Sequence, residues 1–470
     1  MKLTFYGAAG EVTGSNYVLE SGGVKIMIDC GLHQGTHYAE RQNFEPFQYN
    51  PKDITAVFIT HAHLDHTGRI PKLVKDGFRG TIYSTHATRD FAELMLLDSE
   101  HILLKESERE GRPPLYTVGD VNEARKLWRG LAYHQKVTVG NFEVELFDAG
   151  HILGSAIIKI NVAAEGEPRP PRRDDESRLG QGRESKTIIF SGDLGNYPAP
   201  IIQQTETIDF PVDYCILEST YGDRIHENVD KRKEMLEDVI EDTVKAGGTL
   251  LIPAFAMERT QELLYHLNQL FEEGRIPRVP VFIDSPLAIK LTTVYKEYES
   301  YFNKETRSII RAGDDILNFP GLRFTLTTEE SKSINYVPAP KIVVAGSGMS
   351  QGGRILHHEI RYLPDPKNTI LFIGFQAVGS LGRQIMEGAG EVKIMGESVA
   401  VRCNKVVIPG YSAHADQPRL LEWLSHMRPT LKKVYLVHGE KESGESLGQK
   451  IRDEFALSVE PAEPNKTVEL

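Results

Sequence analysis

The chain has 470 residues, with 54 Lys and Arg against 66 Asp and Glu, a formal net charge of −12. That length implies two or three domains with ample core, and 40% apolar with 26% charged residues is an ordinary globular composition. An acidic chain is no polycation, so a basic arm gripping nucleic acid is excluded, while an enzyme with a local positive site is not.

In chain order, strands are expected at Lys2–Tyr6, Tyr17–Glu20, Val24–Ile28, Ala56–Thr60, Thr81–Ser84, Lys136–Val139, Phe142–Phe147, Ala156–Asn161 and Thr187–Phe190. Helices are expected at Thr88–Leu104 and Val121–Leu131. Residues 163–186 carry six basic and six acidic side chains with almost no large apolar one, and read as a solvated loop. From about Glu218 strands and helices alternate again. Helices at 229–246, 258–273, 286–302 and 353–361 alternate with the strands Thr249–Pro253, Pro280–Asp284, Lys341–Ala345 and Thr369–Ile373. After 396 come Lys405–Ile408 and Lys433–Val437, then helices at Asp416–His426 and Gly444–Phe455. The alternation indicates a layered α/β architecture.

Cys30, Cys215 and Cys403 are few, odd in number and far apart. No disulfide framework or Cys-rich metal site follows, and a reducing cytoplasm is the expected setting. The N-terminus lacks the apolar core of a signal peptide, and no run approaches the ~18 apolar residues of a membrane span.

The densest chemistry lies in His61-Ala62-His63-Leu64-Asp65-His66, directly after the apolar run Ala56–Thr60. Imidazoles and carboxylates cluster at a cost unless a cation compensates them. His61 and His63 can face one ion, and Asp65 and His66 can turn to a second. The nitrogen and oxygen donors favour zinc, with manganese or iron as alternatives. Further donors stand at strand ends: Asp29 after Val24–Ile28, His151 in DAGHILGS, and Asp193 in IIFSGD. Each alone reads as a turn residue; the 61–66 cluster makes them candidates.

HAHLDH, AGHILGS and SGD together resemble the metallo-β-lactamase superfamily. The resemblance implies an αββα sandwich with a dinuclear metal centre between its sheets. It implies His61, His63 and His151 on one zinc, Asp65 and His66 on the other, Asp193 bridging, and Asp29 bracing the histidine loop. Further motifs are Glu218-Ser219-Thr220-Tyr221-Gly222, PAFAMERTQE (253–262), GSGMSQGG (346–353), Ser412-Ala413-His414-Ala415-Asp416 and Leu436-Val437-His438-Gly439-Glu440. In this order they resemble the β-CASP nucleases, near the cleavage-and-polyadenylation endonuclease subunit and its bacterial and archaeal relatives. The division implied is sandwich 1–218, inserted α/β β-CASP domain 219–395 and sandwich return 396–470, with no N-terminal KH module before Lys2.

By the same likeness, Glu218 and His414 are catalytic beside Asp65, and His438 joins the second metal. Asp416 can cap the helix after it. Arg259, Ser347, Gly348, Met349 and Ser380 are candidate substrate contacts, with Gln376 and Gly379 in similar positions. The Gly-rich run between strand and helix suits phosphate oxygens; a tight turn and, for Arg259, a helix-start ion pair are the plain readings. Glu258 departs from the Gly that relatives often carry there and adds an acid near the cleft. The other histidines, including His33, His86, His101, His266 and His426, read as packing or surface residues.

The function implied is zinc-dependent hydrolysis of RNA, single-stranded RNA favoured, through a hydroxide bridging two Zn²⁺. It would leave 5′-phosphate and 3′-hydroxyl ends. A homodimer is left open and no membrane partner is expected. The alternatives are a small ester, thioester or lactam hydrolase and a non-catalytic RNA-binding scaffold.

Overall fold

Two seven-stranded sheets face each other, and a third, six-stranded sheet belongs to an inserted domain. The computed structural model describes residues 1–35, 37–163, 185–226, 231–374, 376–377 and 379–470. The expected loop 163–186 therefore lies almost wholly outside the described residues.

The first sheet runs Thr467–Glu469, Lys2–Gly7, Asn16–Ser21, Val24–Ile28, Ala56–Phe58, Thr81–Thr85, Trp128–Leu131. The second runs Val459–Pro461, Lys433–Val437, Tyr214–Glu218, Lys186–Phe190, Ala156–Val162, Phe142–Asp148, Val137–Val139. Inward-facing residues alternate along the strands, as a sheet buried on one face by its partner requires. Leu3, Phe5, Leu19, Ile26, Ile28 and Phe58 thus meet Val144, Leu146, Ile158, Ile160, Phe190 and Ile216 in one apolar layer. Helices cover the outer faces. His86–Glu110 and Val118–Leu127 lie over the first sheet, and Gln417–Ser425 and Lys441–Phe455 over the second. This is the αββα sandwich.

The third sheet is parallel throughout: Leu322–Phe324, Val281–Asp284, Lys341–Ala345, Thr249–Pro253, Thr369–Phe372, Asn404–Val407. Its central strands are buried end to end and, after the first residues Thr249, Lys341 and Thr369, apolar, as burial on both faces demands. Asn404–Val407 pairs with Thr369–Phe372. The sheet of the insert therefore runs beyond residue 395, and the sandwich resumes in strand form at Lys433–Val437.

The helix expected over Val121–Leu131 is instead Val118–Leu127 followed by the edge strand Trp128–Leu131. Pairing with Thr81–Thr85, and the Trp128 indole donating to Ser84 Oγ at 2.8 Å, outweigh local helix preference. The first long helix runs further than Thr88–Leu104. Thr85 caps its start, and Gly111, at φ 66°, ends it in the left-handed conformation. The strand expected to reach Thr60 stops at Phe58.

Phe190 is buried between the sheets against Tyr17, ring centroids 6.0 Å apart. Phe190→Ala is expected to lower sandwich stability by about 3–5 kcal/mol, read as a fall in the denaturant midpoint.

Candidate metal centre

Past Phe58 the Ile59 amide still donates to the Tyr83 carbonyl at 2.8 Å, and the next amide, that of Thr60, serves the site. The Thr60 amide donates to Asp29 Oδ1 at 2.8 Å and its hydroxyl to Asp29 Oδ2 at 2.8 Å. Asp29 sits at φ 57° after Val24–Ile28, a strained conformation for a non-glycine residue, of the kind found at functional sites. A Cβ on Gly31 would lie 1.6 Å from the Asp65 carbonyl, so only glycine lets this turn pass under the HAHLDH segment. Helix Leu64–Thr67 then carries Asp65 and His66, with the His66 ring centroid 4.0 Å from that of His61.

Two donor groups result. In the first, His61 Nε2 lies 3.0 Å from His63 Nδ1, and His151 Nε2 lies 3.3 Å from the same atom. Asp193 Oδ2 is 3.5 Å from His61 Nε2 and 3.6 Å from His151 Nε2. In the second, His438 Nε2 is 3.1 Å from His66 Nε2 and 3.2 Å from Asp65 Oδ2. Asp193 Oδ1 stands 3.4 Å from His66 Nε2. One carboxylate thus offers one oxygen to each group.

These donors fit a metal. Tetrahedral bonds of about 2.0–2.1 Å place ligand atoms about 3.3 Å apart, the spacing seen within each group. Asp193 Oδ1 is buried and accepts no hydrogen bond, which protein interiors rarely tolerate without another partner. The opposite ring nitrogens of two of the histidines are held as metal-bound imidazoles require. His66 Nδ1 lies 2.7 Å from Asp29 Oδ2, and His438 Nδ1 lies 3.1 Å from the Thr220 hydroxyl. The Thr60 hydroxyl, 3.1 Å from His61 Nδ1, links that ring to Asp29 as well.

The electrostatics agree. Burial pushes His61 and His151 well below the ordinary histidine range and His63 down to about 4. All three are therefore neutral donors at pH 7, the form a metal binds. His66 goes the other way: burial opposes its charge, but Asp193, Asp29 and Asp65 outweigh burial and push it up. Burial likewise opposes the Asp193 carboxylate, and His438, His66 and His61 overcome it and hold the group well down. The cluster attracts positive charge.

Beside the first group stands a carboxylate–imidazole pair. His414 Nδ1 is 3.2 Å from Glu218 Oε2 and 3.8 Å from Asp193 Oδ2. Glu218 is fixed by the Leu194 amide, 2.5 Å from its other oxygen. The chain around His414 pairs antiparallel with the turn after Asp193, through Asn196 N to Ala413 O and Ala415 N to Leu194 O, both 2.8 Å. Burial disfavours the His414 imidazolium, but Glu218 and Asp193 outweigh it and raise its pKa. Asp416 caps helix Gln417–Ser425 as anticipated. The sequence reading missed His226, whose amide donates to Asp416 Oδ2 at 2.9 Å and whose Nε2 lies 3.1 Å from the His414 carbonyl. It missed Thr60 and Thr220 too. His226 lies in no motif, and Thr60 and Thr220 stand beside motif residues without a ligand's chemistry; each acts through a partner brought near by folding.

The expected substrate residues fall on the insert. Arg259 is buried, bonded to Glu262 and to the Tyr411 carbonyl. Glu262 also pairs with Arg232 at 3.1 Å. The helix-start ion pair is therefore present, and the buried Arg259 Nε has no hydrogen-bond partner. Ser347 Oγ accepts the Gln351 and Gly352 amides at 3.0 and 3.2 Å, closing the Gly-rich turn. Gly348 and Met349 lie within that turn. The Gly348 carbonyl accepts from Gln376 Nε2 at 2.8 Å, and the Met349 carbonyl from the Gly382 amide at 3.1 Å. Ser380 is buried and caps helix Leu381–Met386. These loops leave the carboxyl ends of the parallel strands, where α/β sheets take ligands. One of them meets the sandwich where Gln351 Nε2 reaches the Gly35 carbonyl at 3.5 Å. Glu258 is buried, and desolvation lifts its pKa to about 7.

Among the described residues no helix is long and apolar enough to cross a membrane. Comparison with known families matches residues 9–141 to the metallo-β-lactamase superfamily and residues 260–385 to the β-CASP domain. Residues 398–461 match the Zn-dependent metallo-hydrolase RNA specificity domain. The chain is 38% identical to Ribonuclease TTHA0252 of Thermus thermophilus over 450 residues, covering 96% of this chain and 95% of that one. It is 30% identical to transcription termination factor FttA of Pyrococcus abyssi and 29% to that of Methanosarcina mazei. Those matches cover all of this chain and 71% and 72% of the relatives. A solved protein of unknown function from Enterococcus faecalis shares the fold, with TM-score 0.52 and 13% identity over 100% of this chain and 99% of that one.

Asp29→Ala removes the acceptor that orients His66 and Thr60. Metal affinity is expected to fall about 10–100-fold, measured by competition with a chromogenic chelator.

Proposed function

The chain belongs to the β-CASP family of the metallo-β-lactamase superfamily, and on that footing we propose that it is a ribonuclease holding two zinc ions. It hydrolyses single-stranded RNA to 5′-phosphate and 3′-hydroxyl ends. The observation that carries this reading is Asp193, which turns one carboxylate oxygen to each of two donor groups and stands 3.8 Å from an imidazole that is not needed by either.

His61, His63 and His151 would hold one ion, and Asp65, His66 and His438 the other, with Asp193 shared. When bound, the metal supplies Lewis-acid polarisation of the phosphodiester and an activated water nucleophile. The protein's own groups do the rest. Water adds to phosphorus and the bond to the 3′ oxygen breaks, so that oxygen needs a proton. His414, whose pKa Glu218 and Asp193 raise against burial, is placed to give it. Glu218 is itself locked by the Leu194 amide, so the imidazole has one orientation. Three things support RNA over a small ester, thioester or lactam. The Thermus relative is a named ribonuclease, residues 398–461 match an RNA specificity domain, and a loop at the carboxyl end of the insert's parallel sheet reaches the sandwich through Gln351. The full donor set argues against a non-catalytic scaffold.

Single-stranded RNA labelled at either end is expected to be cut by the zinc-loaded protein and left intact after chelation. The new 5′ ends should be ligatable without phosphorylation. Cleavage that survives exhaustive chelation, or products with 5′-hydroxyl ends, would contradict the reading.

His414→Ala should keep its metal and lose about 10²–10⁴ in turnover. The pH profile discriminates further. A group that donates as the imidazolium loses its proton as pH rises through its pKa, so the alkaline limb reports His414. Glu218→Gln removes the charge that raises that pKa, so the limb should move to lower pH. An unmoved limb would exclude His414 as the acid.

A further inference from the structure

The loop that presents His151 is not held by the sandwich alone. The Ala149 amide donates to the Ser155 carbonyl, the Gly150 amide to Asp148 Oδ1, and the His151 and Ile152 amides to Ser155 Oγ. The Leu153 amide instead crosses to the insert and donates to Glu258 Oε2 at 3.1 Å. The same oxygen accepts the hydroxyl of Tyr295, a buried residue of insert helix Pro286–Glu297. Glu258 stands at φ 63°, just before helix Arg259–Glu272, and its side chain caps nothing there. This strained, buried acid leaves its own helix start uncapped and is held instead by two partners, Tyr295 of the insert and the Leu153 amide of the sandwich. Its neighbour Arg259 reaches the Tyr411 carbonyl, three residues before His414.

We propose that Glu258 is a positioning residue through which the insert holds the His151 loop in metal-binding geometry. The inserted domain is then part of the metal site as well as a cover for substrate. The inference rests on His151 being a zinc ligand, as read above.

The test uses the full chain, with zinc affinity measured by chelator competition, alongside the thermal midpoint of the metal-free protein. Glu258→Gly suits the positive φ, so the variant should fold, and it leaves the Leu153 amide without its partner. Its zinc affinity should fall about tenfold, the smaller end of the effect of removing a residue that braces a ligand. Glu258→Gln keeps a carbonyl oxygen for that amide and should stay within about threefold of the wild type. Wild-type affinity in Glu258→Gly, whatever its midpoint, would overturn the brace, as would Glu258→Gln failing as badly as Glu258→Gly. A wild-type protein that binds no zinc would overturn the metal reading itself, and the brace with it.

Discussion

Six buried or half-buried imidazole and carboxylate groups converge around Asp193, and that convergence needs positive charge to hold it together. Apolar burial builds the walls but cannot stabilise such a cluster. The features nearest the site serve this need. Asp29 and Thr60 orient imidazoles, Gly31 lets a turn pass beneath the donors, and strand ends place Asp193 and His438 on rigid edges. Several of these positions carry local strain: Asp29 and His438 both have positive φ. The strain is acceptable because hydrogen bonds on both sides fix the conformation.

The same centre explains how the domains are joined. A nuclease site open to bulk water would weaken every charge–charge contact it relies on. Here the insert closes against the loops of the sandwich through polar contacts. Arg232 reaches the Pro198 and Gly410 carbonyls, Arg259 the Tyr411 carbonyl, and Asn303 the Pro200 carbonyl. These contacts fall beside Asp193 and His414 in the chain, so the position of the insert and the geometry of the site are one problem.

Much of this was legible in the residues, for identifiable reasons. Six residues holding three histidines and an aspartate admit few structural explanations, and the central strands are apolar enough to be read directly. The partners of that cluster are another matter. His66 and His438 are 372 positions apart, and no spacing rule links them; only the resemblance to the β-CASP nucleases singled out His438 and His414. The three-residue strands Val459–Pro461 and Thr467–Glu469, which close the edges of both sheets, carry no signal beyond their pairing. Arg259 illustrates the limit most clearly. A conspicuous arginine after a strand suggests a substrate contact, and whether it faces a cleft or a buried glutamate depends on Glu262, Arg232 and Tyr411 arriving together.

The central claim is that Asp193 joins two metal sites into one. The direct test is the zinc content, at saturation and after dialysis, of the wild type and Asp193→Ala. The account predicts two ions per wild-type chain and a variant that loses tight binding of both. A wild type saturating at a single ion, or a variant that keeps two ions at undiminished affinity, would contradict it.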